Sequence, residues 1–356
     1  MINGVGFGHV YRTLPIIKAL AKRHKITTST FGKAAEVLEE NGYPDSYKLH
    51  PFGDVVAQGV KVNIKQSLFE NVKQLSPGLI TRASEIISDC RPDVVVVDGY
   101  LFGLFAAKML GKKTVNIANC TKVWYVFPKI SSIIEKGSDV LSRGIIESSD
   151  AVIVPDFAPP FIFSHNNIEY FGAERKFHFV GPTFTIKEKK KGRRPIIGMG
   201  GSGHRESLEP IAEILEKMGY SPIIADGNLG DEEIREATAH APFAITHGGH
   251  TTIMSSISAN TPVIPIPLKG YTERMNNALG VQNNGCGVVI NPELADTDTV
   301  QIAIQKIKTQ YIRENTALFA STAHSIKGHI KAGEIIENVG KRKGGFFNIL
   351  KTKKIN

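Results

Sequence analysis

Residues 243–267 read FAITHGGHTTIMSSISANTPVIPIP, and their pattern decides the fold. Residues 243–246 are a short apolar run suited to a strand, and Gly248 and Gly249 interrupt it. Residues 251–259 then have the length of a helix, and 262–266 are a second apolar run. Strand, turn, helix, strand is a crossover unit, which places its two strands parallel. The same rhythm extends outward in both directions. Upstream, 196–199 is a candidate strand and 222–225 another. Between them, 206–218 carries Leu208, Ile211, Ala212 and Leu215 at i, i+3, i+4 and i+7, the apolar stripe of a helix. Downstream, helices are expected over 273–283 and 298–311. In the first half, 92–97 reads PDVVVV, a β-branched run suited to a strand buried on both faces. A helix to about residue 110 and strands at 113–118 and 151–154 follow. Alternating β and α elements imply an α/β fold with a parallel, doubly wound sheet.

A chain of 356 residues holds two such domains more readily than one or three. The expected division is a first doubly wound domain over 1–184, a basic linker over 185–194, a second doubly wound domain over 195–325, and a C-terminal helix with a basic tail over 326–356. A cleft between two such domains is the default ligand site. Only Met1, Ile2 and Asn3 precede the first glycine loop, so most of the first strand is expected to lie upstream of this sequence.

With 42% hydrophobic and 22% charged residues, the composition excludes a disordered tail, a collagen and a disulfide-rich module. The most apolar stretch, 94–110, is broken by Asp98 and Lys108, so it falls short of the ~18 unbroken apolar residues of a spanning helix. Cys90, Cys120 and Cys286 are odd in number and far apart, which fits a reducing cytoplasm rather than a disulfide framework or structural zinc. The N-terminal MINGVGFGHVYR lacks the basic start and apolar core of a signal peptide. The net charge of +9 is concentrated. KEKKKGRR at 187–194 contributes +5 and the tail over 341–354 contributes +6, which leaves −2 for the rest. A nucleic-acid reader spreads basic residues over a folded face, so no specific nucleic-acid partner is expected.

Four segments can carry chemistry. Gly4-Val5-Gly6-Phe7-Gly8-His9 leads into a helix with Val10, Leu14, Ile17 and Ala21 on one side. Its glycines permit a tight turn and close ligand approach, and the helix start beyond them suits phosphate. Gly200, Gly201, Ser202 and Gly203 form a second glycine loop between a strand and a helix. His247, Gly248, Gly249, His250, Thr251 and Thr252 form a third, with two hydroxyls at a helix start that suit a diphosphate. The two histidines alone do not make a metal site. Glu273-Arg274-Met275-Asn276-Asn277-Ala278 reads by itself as a solvated helix face. Asp296-Thr297-Asp298 reads as a helix cap rather than a metal-binding pair.

In this order the segments resemble glycosyltransferases of the two-Rossmann-domain type, the GT-B fold. The chain is most similar to the group that contains the lipid II-forming N-acetylglucosaminyltransferase and related members. The likeness rests on a G-x-G-H-x-x-R loop at Gly6–Arg12, a strand end at Pro92–Asp98, and the glycine loop at Gly200–Gly203. It rests most specifically on a nucleotide-sugar signature: GG-x-x-T at Gly248–Thr252, N-x-P-x-i-x-x-P at Asn260–Pro267, and E-x-x-x-N-A at Glu273–Ala278.

The resemblance implies a hexosyltransferase that moves a hexose or N-acetylhexosamine from a nucleotide-diphosphate sugar, UDP-linked by preference, by inverting displacement. No cofactor and no metal are implied. His9 is the candidate general base and Asp98 its orienting partner. Gly6 and Gly8 belong to the loop near acceptor and diphosphate. Gly200, Gly201, Ser202, Gly203, His247, Gly248, Gly249, His250, Thr251, Thr252, Ser255, Glu273 and Asn277 are expected to bind the nucleotide-sugar. Two positions depart from the family pattern. Ser255 stands where a glutamate usually binds the ribose diol, and Arg274 replaces a glutamine. Ser255 cannot make the charged bidentate contact, and Glu273 is the candidate to take it over.

The apolar tail segment Gly344–Leu350, flanked by lysines, suits an anionic membrane surface and hence a lipid-linked acceptor at the cytoplasmic face. Trp124, Tyr125 and Phe127 are candidate acceptor-pocket aromatics. The alternatives are a nucleotide-sugar 2-epimerase, which shares the architecture and needs no acceptor, and a non-catalytic nucleotide-sugar-binding or membrane-surface scaffold.

Overall fold

The computed structural model describes residues 1–44, 46–53, 55–122, 132–198, 208–226 and 229–341. The first half carries helices α1 (Gly8–Ala21), α2 (Lys33–Glu40), α3 (Ile64–Gln74), α4 (Pro77–Cys90), α5 (Leu101–Met109) and α6 (Ser132–Glu147). Its strands are β1 (Ser29–Thr30), β2 (Tyr47–Lys48), the hairpin β3 (Ala57–Gln58) and β4 (Lys61–Val62), then β5 (Val94–Asp98), β6 (Lys113–Ile117), β7 (Ala151–Val154) and β8 (Phe177–Phe179). β5, β6, β7 and β8 lie side by side in that order, all parallel, and β1 pairs parallel with β2. Ile2 and Asn3 join the two groups. Ile2 N–H donates to Ser29 O at 2.9 Å and Asn3 N–H to Asp98 O at 2.8 Å.

Val95 and Val97 are buried against Leu79, Ala83, Leu104 and Ala107 of α4 and α5. Val94 and Val96, expected to be buried as well, are only half-buried. They border a cavity of about 500 Å³ that runs from Met1 and Ile2 between residues 27–29 and 94–96.

The second half carries β9 (Ile196–Gly198), α7 (Glu209–Lys217), β10 (Ile223–Ala225), α8 (Asp231–His240), β11 (Ala244–Thr246), α9 (His250–Ser258), β12 (Val263–Pro265), α10 (Thr272–Asn283), α11 (Thr297–Ile307), α12 (Gln310–Ile326) and α13 (Gly328–Lys341). Its sheet is parallel in the order β10-β9-β11-β12. Ile197, Leu208, Ile211, Leu215, Ile245 and Ile304 fill the core between this sheet and its helices. The helix expected over 298–311 divides, because Thr309 turns to an extended conformation and starts α12 afresh. Asp296 caps α11 by accepting from Thr299 N–H at 2.8 Å, which is the capping role expected of it.

The two halves interlock. Phe157 and Phe163, which follow β7, pack among Ile253, Met254, Val263 and Phe319 of the second half. α13 returns to the first half, where Ala332, Ile336 and Val339 meet Ile16, Leu20, Val115 and Ile153. The basic segment at 187–194 is docked on the second domain. Lys191 Nζ donates to Ala259 O at 2.7 Å, Thr261 Oγ1 at 2.8 Å and Ala239 O at 3.1 Å, closing the ends of α8 and α9.

Candidate active site

α1 starts at Gly8, so His9 lies in its first turn and His9, Arg12 and Thr13 share one face at i, i+3 and i+4. That face meets the end of β5, where Asp98 is buried. Asp98 Oδ1 accepts from His9 Nδ1 at 2.6 Å and also from Arg12 Nη2. Asp98 Oδ2 accepts from Arg12 Nε at 2.8 Å and Thr13 Oγ1 at 2.7 Å. Burial pushes the Asp98 carboxyl upward, but the Arg12 guanidinium and then His9 outweigh it and hold the group well below the usual carboxylate range. An ionised carboxylate only accepts, so the short contact requires the proton on His9 Nδ1. In the neutral ring the lone pair is then on Nε2, and the ring is 30% exposed. Gly99, at φ +72°, makes room for it, since a Cβ there would stand 2.5 Å from His9 Cε1.

The donor side begins at α9. Its N-cap, Gly249, supplies no side-chain acceptor, and the N-cap of α1, Phe7, supplies none either. The two helix starts meet where Thr251 Oγ1 donates to Gly8 O at 3.0 Å. Two helix starts without a side-chain cap among the described residues, each the partial positive end of a dipole, therefore meet at this contact. Gly248, at φ +84°, admits the α10 backbone, because a Cβ there would lie 2.5 Å from Arg274 O. Asn277 Nδ2 donates to Gly248 O at 3.0 Å and fixes that turn.

The residues expected to bind the nucleotide-sugar divide into groups. Gly248, Gly249, Thr251 and Thr252 lie together at the α9 start, with Gly6 and Gly8 opposite. His250 turns away: its Nε2 lies 3.1 Å from Asp156 Oδ2 and the ring is buried. Asp156 also accepts from the N–H groups of Phe157, Phe163 and Ser164 and from Ser164 Oγ. His247 is buried with Nδ1 at 3.3 Å from Ile266 O. Ser255 donates back to Thr251 O at 2.7 Å and borders a cavity of about 100 Å³, together with Phe7, Tyr11, Asp231 and Thr252. Glu273 Oε1 accepts from Asn119 Nδ2 at 2.8 Å, across the cleft. Gly200, Gly201, Ser202 and Gly203 lie outside the described residues, as do Trp124, Tyr125, Phe127 and the tail beyond residue 341. Among the described residues no three His, Cys, Asp or Glu side chains cluster as a metal site would require.

The sequence pattern offered Arg12 only as the end of the G-x-G-H-x-x-R loop and gave no role to Asn119, Asn167 or Asp156. Arg12 was legible, since it is three residues from His9 on a helix. Asn119, Asn167 and Asp156 follow strand or loop ends, where only the fold shows what they reach. Asn167 Nδ2 lies 2.9 Å from Asn277 Oδ1 and 3.0 Å from Glu273 O, a second bridge across the cleft.

Residues 216–331 match the glycosyltransferase family 28 C-terminal domain, and residues 1–159 match glycosyl transferase family 1. An uncharacterised glycosyltransferase of Methanosarcina acetivorans is 25% identical over 378 residues, covering 97% of this chain and 96% of its own. The UDP-N-acetylglucosamine–N-acetylmuramyl-(pentapeptide) pyrophosphoryl-undecaprenol N-acetylglucosamine transferase of Thermosipho africanus is 27% identical over 332 residues, covering 84% of this chain and 88% of its own. In fold, the chain is similar to the crystal structure of the glycosyltransferase of kitacinnamycin, with a TM-score of 0.67 at 16% identity over 95% of this chain and 98% of that one.

Proposed function

We propose that this chain, a glycosyltransferase of the GT-B fold, moves a hexose or N-acetylhexosamine from a UDP-sugar to an acceptor hydroxyl by inverting, metal-independent displacement. The observation that carries this reading is the His9–Asp98 pair, at 2.6 Å, placed one residue from the contact between Gly8 and the start of α9. A proton acceptor and an anion-binding helix end thus face the same space.

The acceptor hydroxyl gives its proton to His9 Nε2 as its oxygen attacks the anomeric carbon. The bond to the nucleoside diphosphate breaks with its electron pair, and the configuration inverts. Asp98 stabilises the imidazolium that forms, without itself taking the proton. The leaving diphosphate is held by the N–H groups at the start of α9, by the hydroxyl of Thr252, and by that of Thr251 once its proton turns from Gly8 O. Two features support a lipid-linked acceptor at a membrane surface. The Thermosipho relative is named for an undecaprenol-linked substrate. On α3, Phe69 and Val72 are exposed beside Lys73, as is Leu75 at the helix C-cap. Among the described residues no helix is long and apolar enough to cross a membrane.

His9→Ala is expected to lower kcat by about 10²- to 10⁴-fold while leaving nucleotide affinity intact. Steady-state kinetics on UDP-sugars, with UDP binding followed by thermal shift, checks this. Near-normal turnover would remove His9 from the chemistry.

A further inference from the structure

Asn119 sits two residues beyond β6, buried, between a cation of one domain and an anion of the other. Its Oδ1 accepts from Arg12 Nη1, and its Nδ2 donates to Glu273 Oε1 at 2.8 Å. Flipping the amide would set donor against donor at Arg12 and acceptor against acceptor at Glu273, so the partners fix its orientation. Arg12, also buried, continues the chain to Asp98 through two bonds, and Asp98 continues it to His9. An unbroken series of polar contacts therefore runs from α10 of the donor domain to the imidazole of the acceptor domain.

We propose that Arg12 and Asn119 are positioning residues that hold the His9–Asp98 pair in its working geometry only while Glu273 is seated against Asn119. This rests on His9 being the base. Glu273 Oε2 has no hydrogen-bond partner among the described residues, so one carboxylate can touch a bound donor and anchor Asn119 together. When the domains part, Asn119 loses its donor-side anchor and Arg12 loses the amide that fixes its Nη1. Arg12 Nη2 stands 3.0 Å from His9 Nδ1, so the guanidinium opposes a second positive charge on the ring. His9 itself meets Asp98 from β5 and Arg12 on its own helix; around that pair stand Glu273 from α10 and the Cys120 thiol after β6, beside Arg12, and the Met1 ammonium, beside Asp98. Burial raises the Cys120 thiol well above its ordinary range, so it adds no charge near neutrality.

The test compares Asn119→Ala, Glu273→Ala, their double variant and Arg12→Lys with the wild type and His9→Ala. Asn119→Ala should lower kcat by about 10²-fold, the loss that small misplacement of a reacting group produces. UDP binding by thermal shift should stay within about threefold, and the acid limb of the kcat/KM profile should move to higher pH as Arg12 loosens. The double variant should be no slower than the slower single variant, because both break one chain of contacts. Arg12→Lys keeps the charge but not the fork and should be impaired in kcat with its acid limb nearly in place. Additive losses in the double variant would overturn the relay, as would an unchanged pH profile in Asn119→Ala or parallel loss of UDP binding and kcat. If His9→Ala itself turns over normally, the function assigned to the site fails instead. An inactive His9→Ala beside a fully active Asn119→Ala sinks the relay alone.

Discussion

The two walls of the cleft are built on opposite plans. On the first-domain wall, charged side chains are gathered into one cluster, and Asp98 alone receives His9, Arg12 twice and Thr13. On the second-domain wall, His250 is directed to Asp156, His247 Nδ1 lies near Ile266 O, and among the described residues no side chain caps the start of α9. The proposed chemistry thus falls to side chains on one side, and the proposed anion binding to backbone on the other. The difference teaches that a motif mixes ligands with the residues that hold ligands in place. Substitutions on the two walls should separate activity from stability.

The largest effect is expected at Asp98. Asp98→Asn should cost activity by about 10⁴-fold, because an amide cannot enforce the same tautomer or stabilise an imidazolium. It should also cost about 3–5 kcal/mol of stability near neutral pH, since Arg12 stays buried with its partner removed. The carboxyl is held below its unfolded range, so its contribution is present above the unfolded pKa and is lost as pH falls through the folded one. The gap between variant and wild type, measured by urea denaturation, should therefore narrow only under strongly acidic conditions. A gap that stays constant down to pH 2 would break the assignment of a charged Asp98.

His250→Ala probes the other wall. The sequence pattern offers His250 as a nucleotide ligand, yet its Nε2 is directed to Asp156. Burial raises the Asp156 carboxyl, and the hydrogen bond from His250 leads the contacts that bring it below the usual range. The substitution should cost about 1–3 kcal/mol of stability, the penalty for a buried polar group that loses a partner. UDP affinity, measured on the folded fraction, should change little. Lost affinity with unchanged stability would return His250 to the ligand set and weaken the contrast between the walls.

Thr251→Val sharpens the contrast at the seam. It removes the donor to Gly8 O at nearly constant volume, with an expected cost of about 1 kcal/mol. The same hydroxyl is proposed to touch the diphosphate, so UDP affinity should fall while UDP-free stability falls only slightly. Isothermal titration beside thermal unfolding separates the two.

The legible and hidden parts of the molecule divide along similar lines. Alternating apolar runs and glycine breaks revealed the parallel sheets, because each crossover unit is local in sequence. β7 falls on residues 151–154 as read, and β12 and α9 lie within a residue or so of their expected bounds. The His9–Asp98 pair was legible only through resemblance, since 89 residues separate its members. Asp156 and Asn119 were hidden because each reaches one partner in the other domain, His250 and Glu273, at separations of 94 and 154 residues. The half-burial of Val94 and Val96 was hidden for another reason: it depends on the cavity beside them rather than on their own composition.

The smallest effect comes from the basic segment, whose charge in sequence reads as a loose linker. Lys191 is different from its neighbours, because its ammonium closes two helix ends and burial lowers its pKa to about 8 from an ordinary 10.5. Between those values the unfolded chain holds the proton more firmly than the folded one. Stability therefore rises with pH across that window, the opposite of the behaviour of a lysine stabilised by an ion pair. Lys191→Met leaves the carbonyls of Ala239 and Ala259 without this donor and should cost about 1 kcal/mol at pH 7. It should also lack the gain that the wild type shows between pH 8 and about 10. The difference between the two unfolding curves isolates Lys191 from every other group that titrates there. A wild type and variant that run parallel through that range would show that the Lys191 ammonium is not held in the buried place between the ends of α8 and α9.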